Sequence, residues 1–180
     1  MSSDTTPRVE FVITAPAPYG AEMAYRARAR TTLGVLTQLI AQAERYVVIS
    51  APFVHPGAGT ETGPLTDALR AALQRGVSVD VVSTGGGLQA VNAEELRLIA
   101  RGQLRLLQPR VNIEDEWRLG SHAKFCVADG WHAYIGSANL TGPGLATNLE
   151  MGVLVHGELA QQVSEFWHYL CEVGFFVEVG

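Results

Sequence analysis

The sequence predicts an α/β fold: a mixed, mostly parallel β-sheet with helices on both of its faces. The chain has 180 residues, of which 47% are hydrophobic and 17% charged, and this is typical of one globular domain. Up to about residue 107, short β-branched runs alternate with segments whose apolar residues recur at helical spacing. Strands that alternate with helices favour parallel pairing. Residues 1–7 are polar and are predicted to be a flexible tail, so the single domain spans residues 8–180.

The first half of the chain supplies four predicted strands and three predicted helices. The strands are short and apolar, and they cover residues 9–14, 46–50, 77–82 and 103–107. The helices carry their apolar residues on one side, and they cover residues 30–44, 65–73 and 93–101. Gly76 directly follows the second helix, and glycine is the residue that most often ends a helix.

The second half begins with a predicted hairpin. Asp129-Gly130 separates two β-rich runs, and an Asp-Gly pair in that position is the strongest short-range sign of a hairpin. The two runs cover residues 122–128 and 131–137. They are followed by a predicted strand at 149–155, a helix at 158–171 and an edge strand at 175–179.

The charge of the chain does not resemble that of a typical nucleic-acid binder. The net charge is −5, all of it in residues 119–180, because the 12 arginines and 12 of the acids balance in residues 1–118. Lys124 is the only lysine. A cationic surface would have to come from local arginines such as Arg26, Arg28 and Arg30, with Arg45 nearby. For that cluster, a solvated helix start is the interpretation we favour.

The composition also bears on location. The polar first residues carry no secretory signal, and no apolar run approaches the length that a membrane span needs. Two cysteines, Cys126 and Cys171, are too few for a disulfide framework. We therefore expect a cytoplasmic protein without stable membrane association, in which both thiols are reduced.

Three polar pairs share one spacing and are the candidate site. Residues two apart on a strand point to the same side, so each pair presents both of its side chains together. The pairs are His122 with Lys124, Ser137 with Asn139, and Asn148 with Glu150.

These side chains suit attack on a phosphodiester. A neutral imidazole such as His122 is a competent nucleophile near pH 7, and the ammonium of Lys124 stabilises charge on the phosphoryl oxygens. A serine and an asparagine add directed donors, and a carboxylate such as Glu150 can hold the imidazole in one tautomer. Such a site needs no metal and no cofactor.

The pattern resembles the HKD signature of the phospholipase D superfamily. It reads His122-x-Lys124-x-x-x-x-Asp129, followed by Gly136-Ser137-x-Asn139, and the wider resemblance covers most of residues 30–175. The resemblance implies a phosphohistidine mechanism. His122 would attack the phosphorus, Lys124 and Asn139 would hold the phosphoryl oxygens, Ser137 would assist, and Glu150 would orient His122. For Asp129, which lies in the hairpin turn, a structural role is the one we expect.

One departure from the family has consequences. Active sites of the family combine two such motifs, whose histidines act as nucleophile and general acid, whereas this chain has one copy. The resemblance implies that single-motif members solve this with a twofold homodimer, which brings two copies of His122 together.

We therefore predict a metal-independent phosphodiesterase, acting as a homodimeric nuclease on DNA or RNA. Single-motif relatives include nucleases and members of bacterial phage-defence systems, so protein partners in a defence complex are also expected. One alternative is a lipid phosphodiesterase of the phospholipase D type. Another is a nucleic-acid-binding or interaction subunit of a defence complex.

Three further features are weighed less heavily. The glycine run at residues 85–87 and the loop around His55 are expected to follow parallel strands and to line a substrate channel, without assigned roles. The acidic run at residues 114–116 is interpreted as a solvated turn rather than a metal site. Cys126 is expected to be a small buried residue beneath the pocket.

Overall fold

In a computed structural model, which describes residues 8–54, 63–110 and 120–179, the chain forms one mixed sheet with five helices. The described strands are β1 (Val9–Thr14), β2 (Arg30–Thr31), β3 (Tyr46–Ser50), β4 (Ser78–Val82), β5 (Leu104–Pro109), β6 (Phe125–Ala128), β7 (His132–Gly136), β8 (Glu150–His156) and β9 (Phe176–Glu178). The described α-helices are α1 (Gly20–Ala27), α2 (Thr32–Gln42), α3 (Pro64–Arg75), α4 (Ala93–Ile99) and α5 (Glu158–Glu172). None of these helices is long and apolar enough to cross a membrane.

The strands lie in the order β2-β1-β8-β7-β6-β3-β4-β5-β9. This confirms the predicted mixed sheet, but the expected predominance of parallel pairing is not seen. Among the described strands, three pairings are parallel and five are antiparallel. The reason is that the hairpin β6–β7 and its neighbour β8 lie in the middle of the sheet, between β1 and β3, so antiparallel pairs replace parallel ones there.

Both faces of the sheet are covered, as predicted. Helices α2 and α3 pack on one face, where the larger core includes Ile40, Leu73 and Val79. Helix α5 packs on the other face, where Trp167 is buried against Val48 and neighbouring side chains. The sheet is therefore buried most deeply where β3, β4 and β6 lie side by side.

Several elements differ from the sequence predictions. Helix α1 and the two-residue strand β2 were not predicted; α1 has only eight residues, and none of its side chains is buried. Helix α2 begins at Thr32, because the side chain of Thr31 accepts the backbone N–H of Gly34 at 3.3 Å and caps the helix. The predicted tail, most of the loop around His55 and the acidic run at 114–116 lie outside the described residues.

Asp129 ties the hairpin to the start of β3. It adopts a left-handed conformation with φ of 54°. Its carboxylate accepts the backbone N–H groups of Glu44 and Arg45 at 2.8 Å and of Tyr46 at 3.0 Å. In the return direction, its own N–H donates to the carbonyl of Tyr46 at 3.0 Å. One side chain thus satisfies three donors at a strand start and sets the register of β3 against β6.

Replacing Asp129 with alanine is expected to lower the free energy of unfolding by about 2–4 kcal/mol, since three backbone donors lose their acceptor. Urea denaturation followed by circular dichroism measures this. Asp129→Asn is the matched control, because asparagine tolerates the left-handed conformation and keeps one acceptor oxygen, and we expect a smaller loss. Equal stability of the alanine variant and the wild type would contradict this role of the Asp129 carboxylate.

Candidate active site

The sequence-predicted site residues, apart from Asp129, converge at one edge of the sheet. Strand β6 begins at this edge, β7 ends there, β8 begins there, and Ser50, the last residue of β3, pairs with Phe125. His122 and Lys124 lie in the extended segment just before β6, and Ser137 directly follows β7. Ser50 secures that segment, because its hydroxyl donates to the carbonyl of Ala123 at 3.1 Å.

His122 and Lys124 are in direct contact but in different surroundings. Lys124 Nζ lies 3.1 Å from His122 Nδ1 and 3.4 Å from Nε2, and it donates to the carbonyl of His122 at 3.2 Å. The imidazole is exposed, whereas Lys124 is only 8% exposed. Because an ammonium carries donors only, a ring nitrogen takes part in a hydrogen bond with Lys124 only as the acceptor.

Burial lowers the pKa of Lys124 below its ordinary value of 10.5, and the negative charge of Glu150 acts in the opposite direction. The cation is therefore held with little water around it. A charge in such surroundings acts more strongly on a neighbouring anion than the same charge would in bulk water.

Glu150 interacts with Ser137 rather than with His122. The Ser137 hydroxyl donates to the Glu150 carboxylate and accepts the backbone N–H of Met151 at 3.1 Å. The Asn148 amide donates to the second carboxylate oxygen at 3.4 Å. Within the described part of the chain, the orienting contact from Glu150 to His122 that the family resemblance implies is thus not formed.

Asn139 is half-buried and makes no side-chain hydrogen bond to the described residues. Its Oδ1 is fully buried without a partner. Among the described residues nothing engages the NH₂ group, and donation from it to a bound oxygen is the role that the sequence analysis assigned to Asn139.

Asp129 lies at the other end of β6 from this group. It lies five positions after Lys124 along the strand, or roughly 16 Å away at about 3.3 Å per residue. Its carboxylate is engaged by backbone N–H groups at the start of β3. The three residues that name the HKD signature are therefore not one cluster: two form the candidate site, and the third holds the sheet together.

Residues 36–170 match the family model described as cardiolipin synthase, PLD-like domain. This chain belongs to the phospholipase D-like family. Among curated proteins, cardiolipin synthase B of Salmonella typhi is 29% identical over 125 residues, and that of Shigella flexneri is 29% identical over 119 residues. These alignments cover 69% and 66% of this chain, but only 28% and 27% of the relatives.

Solved structures share the phospholipase D-like fold. NucT from Helicobacter pylori has a TM-score of 0.68 at 15% identity, with 97% of this chain and 100% of that chain covered. Nuc from Salmonella typhimurium, a phospholipase D family member, has a TM-score of 0.63 at 21% identity, with 97% and 99% covered. Phosphatidylserine synthase of Haemophilus influenzae Rd KW20 has a TM-score of 0.68 at 13% identity, with 99% of this chain but 41% of that chain covered.

Sequence reasoning missed Tyr134, which packs beneath the site of this family member. Its ring lies against Gly136 and Gly152, which are paired in register on β7 and β8. A Cβ added at Gly152 would lie 2.6 Å from the Tyr134 ring and 2.7 Å from the Ile135 carbonyl oxygen, and a Cβ at Gly136 would overlap the Tyr134 hydroxyl. The two glycines thus leave room for the Tyr134 ring. They also let β7 and β8 lie close together at Gly136, one residue before Ser137. The sequence signal that could have found Tyr134 is a large aromatic residue two positions before Gly136, the glycine of the motif.

The structure also places three other features considered in the sequence analysis. The described residues contain no group of three or more His, Cys, Asp and Glu side chains that could hold a metal ion. Cys126 is fully buried, as expected, and burial raises its pKa to about 12, so its thiol is inert. Residues 85–87 begin a short 3₁₀-helix, Gly85–Ala90, after β4.

The arginine cluster expected from the sequence is dispersed in the structure. Arg26 pairs with Glu22 within α1 at 2.8 Å, which agrees with the solvated-helix interpretation. Arg30 lies 3.7 Å from a carboxylate oxygen of Glu10. The fourth member, Arg45, donates to the Asp129 carbonyl at 2.9 Å and so lies at the opposite end of the sheet from the candidate site.

The packing of Tyr134 against Gly136 predicts that substitutions at these two positions are not additive in their effect on stability. Gly136→Ala is expected to destabilise the fold by about 2–3 kcal/mol, because the new methyl group overlaps the Tyr134 hydroxyl. In a Tyr134→Leu background that overlap is gone, so the same change should cost at least about 1 kcal/mol less. A double-mutant cycle of urea denaturation midpoints measures the coupling. If the two changes in unfolding free energy simply add, the Tyr134 ring does not require a glycine at position 136.

Proposed function

We propose that this protein is a metal-independent phosphodiesterase that cleaves nucleic acid through a phosphohistidine intermediate. The observation that carries the proposal is the contact between the exposed imidazole of His122 and the buried ammonium of Lys124, 3.1 Å apart. A nucleophile open to solvent and a cation shielded from it are what attack on a phosphate diester needs.

In the first step, a ring nitrogen of His122 attacks the phosphorus, and the bond to the leaving oxygen breaks. Negative charge grows on the phosphoryl oxygens during this step. Lys124 and the NH₂ group of Asn139 stabilise these oxygens as donors, while Ser137 and Glu150 remain hydrogen-bonded beside them. The leaving oxygen takes its proton from a general acid.

A second imidazole supplies that proton, and the resemblance implies that it comes from a twofold homodimer. The partner subunit's His122 protonates the leaving oxygen and afterwards removes a proton from water. That water attacks the phosphorus, breaks the phosphorus–nitrogen bond and regenerates His122. Atoms and charge balance with water as the only co-reactant.

The choice of nucleic acid as substrate rests on two points. The single HKD motif resembles that of family members that are nucleases. The chain also covers 100% of NucT and 99% of Nuc, but only 28% of cardiolipin synthase B of Salmonella typhi. With the arginine cluster dispersed, binding would depend on donors inside the site rather than on a broad cationic surface.

A lipid phosphodiester is the second candidate, and one cavity favours it. This cavity of about 620 Å³ lies between α3, α4 and the ends of β3 and β4, and much of its described lining is apolar. Leu140, which directly follows Asn139, forms part of its wall together with Ile49, Val54 and Leu65. An acyl chain is the group that would occupy such a space beside a phosphodiester site.

The wider setting is proposed on the sequence alone. It comprises a cytoplasmic location and membership of a bacterial defence complex. If the protein binds nucleic acid without cleaving it, the interaction-subunit alternative replaces the enzyme.

The test of the enzyme is cleavage in EDTA of single- and double-stranded DNA, RNA, a phosphatidyl lipid and a chromogenic phosphodiester. We expect cleavage of a nucleic acid by the wild type and a fall of about 10³-fold or more for His122→Ala, because the nucleophile is lost. His168→Ala is the matched control, since the His168 ring packs edge-to-face against Tyr46, away from the site. Faster turnover of the lipid would select the second candidate, and no turnover of any substrate would refute both.

Lys124→Met should separate activity from stability. We expect turnover to fall by about 10²–10³-fold, because the buried cation is lost, while the thermal midpoint at neutral pH stays the same or rises. The reason is the sign of the pKa change: burial lowers the pKa of Lys124, so the folded state disfavours the charged form that is present at pH 7. Calorimetry on both proteins measures the thermal midpoint. A lower midpoint for the variant would contradict the view that the charged form of Lys124 is disfavoured in the folded state.

The same lowered pKa predicts the alkaline limit of activity. The wild-type rate should decline at a pH below the ordinary lysine value of 10.5, as Lys124 loses its proton. A pH–rate profile measures the limit, with the thermal midpoint recorded at each pH as the control for unfolding. Full activity maintained beyond pH 10.5 would exclude a role for the protonated amine.

A further inference from the structure

Helix α5 carries a second apolar stripe, separate from the one that it buries against the sheet. The buried residues of the helix are Ala160, Ser164 and Trp167. On its solvent side, residues spaced alternately three and four positions apart form a line, which is the spacing of the a and d positions in a coiled coil. We call this line the α5 seam, and its members are Leu159, Gln162, Phe166, Tyr169 and Val173.

The α5 seam is open to solvent in the described chain. Leu159 is 39% exposed, Phe166 60%, and Tyr169 and Val173 56% each. Val173 directly follows the helix and keeps a helical backbone conformation, so the seam extends over two full heptads. A helix of a globular protein normally presents polar residues to water and buries its apolar ones. Burial in the core of the described chain therefore does not account for the seam.

One flank of α5 fixes the direction in which the other flank faces. Ser164 hydrogen-bonds Tyr46, and the ring of His168 lies 5.7 Å from that of Tyr46, so this flank faces the start of β3. The opposite flank carries Leu159 and Phe166 of the seam. It therefore faces the part of the sheet that contains β1, β7 and β8.

Exposed side chains of these three strands extend the seam into a groove. Phe11 and Ile135 both pair with Val153, which packs against the core beneath α5. Met151 lies two residues before Val153 on β8, so all of them are on the side of the sheet that α5 covers. Phe11, Ile135 and Met151 are nevertheless exposed. Together with the seam they expose on the order of 600 Å², the upper end of what one patch on a monomer normally shows.

A row of glutamates borders the seam on the edge away from the sheet. Glu158, Glu165 and Glu172 are seven residues apart, and each directly precedes an apolar member of the seam. This is the g position of the heptad, whose charges select the partner in a coiled coil. All three are exposed, and none of them forms a salt bridge with another described residue. The row is thus free to meet charges on a second helix.

We propose that this groove binds an amphipathic helix of a different protein, whose apolar stripe is bordered by lysine or arginine. Charge complementarity decides the choice of occupant. A helix that packs along the α5 seam places the residues beside its own apolar stripe against the glutamate row. Cations at those positions form interhelical salt bridges, whereas acids are repelled, so the row selects a basic helix. Such binding follows the general mode of an amphipathic helix in a hydrophobic groove.

The same row disfavours a second copy of this chain in the groove. If two α5 helices packed antiparallel along their seams, the glutamate rows would face each other and repel. If they packed parallel, each row would face Val163 and Leu170, which occupy the e positions, and carboxylates would lie against apolar side chains. Neither arrangement offers the glutamates a cation.

The groove and the candidate active site lie on opposite sides of the sheet. Cys126, two residues after Lys124, belongs to the core beneath α2 and α3, whereas Phe125 packs against the core beneath α5. A helix in the groove therefore leaves His122 open to a substrate. The binding of a partner can accordingly be tested without reference to cleavage.

The probe is a labelled synthetic peptide of three heptads with leucine at a and d and lysine at e and g. The like charges at e and g keep the peptide from pairing with itself. Fluorescence anisotropy on the purified full chain should give a dissociation constant of about 100 μM or below. The matched peptide with glutamate at e and g should bind at least about 10-fold more weakly, because it meets the glutamate row with like charge.

Four variants locate the binding on the protein. Phe166→Ala should weaken the lysine peptide at least about 10-fold, because it removes the central apolar contact without changing the charge. Its matched control is Leu98→Ala, since Leu98 is 88% exposed on α4, away from the groove. Glu165→Lys should reduce the preference for the lysine peptide at least about fivefold. Glu94→Lys makes the same change of net charge on α4 and should leave the preference as in the wild type.

Each outcome supports or overturns the proposal, once circular dichroism and thermal midpoints show that the variants are folded. Failure of the wild type to bind the lysine peptide would overturn it, as would be the case if another part of this chain covers the groove. Equal effects of Glu165→Lys and Glu94→Lys would mean that the peptide responds only to the net charge of −5. Light scattering covers the remaining occupant: a wild-type dimer that Phe166→Ala dissociates would assign the groove to a second copy instead.

Discussion

The antiparallel pairing of β6 with β3 is the interaction on which the rest of the molecule depends. It joins the parallel half of the sheet, β3 to β5, to the antiparallel half that contains the hairpin and β8. Four residue pairs make this contact, and the carboxylate of Asp129 sets its register from one end. A shift of one residue would turn Lys124 and His122 together toward the opposite face of the sheet.

The site separates two properties that usually conflict. A nucleophile must be reached by a polymer or a lipid, whereas a cation is most effective when water is kept away from it. Here the two residues are only two positions apart, yet one is exposed and the other is among the few buried charged groups in the described chain. The change occurs because the chain enters the sheet between them: His122 precedes it in an exposed segment, while Lys124 directly precedes the first paired residue of β6, Phe125.

Much of this arrangement could be predicted from local sequence. The strand Tyr46–Ser50 was predicted residue for residue, because a short, wholly apolar run has few other structures. The Asp129-Gly130 turn and the convergence of the polar pairs followed from periodicity and from one motif. The place of the hairpin in the middle of the sheet could not be predicted in this way, since strand order depends on contacts between distant segments.

Other features were missed because their signal is weak. Helix α1 has only eight residues and buries none of them, so it offers a short segment without a core-facing apolar run. The packing of Tyr134 depends on two glycines whose contribution is a missing side chain. The absence of a contact between Glu150 and His122 within the described chain was not foreseeable either, because the family pattern names residues and not the contacts between their side chains.

The distance between Asp129 and Lys124 has a consequence for how the signature is used to recognise relatives. Under the proposed function, two of its named residues report on chemistry and the third reports on folding, so they are subject to separate selection. A descendant that lost catalysis but kept its fold would retain the aspartate and be free to change the histidine and the lysine. A search that scores all three alike would count such a protein as nearly intact, when what it has preserved is the scaffold.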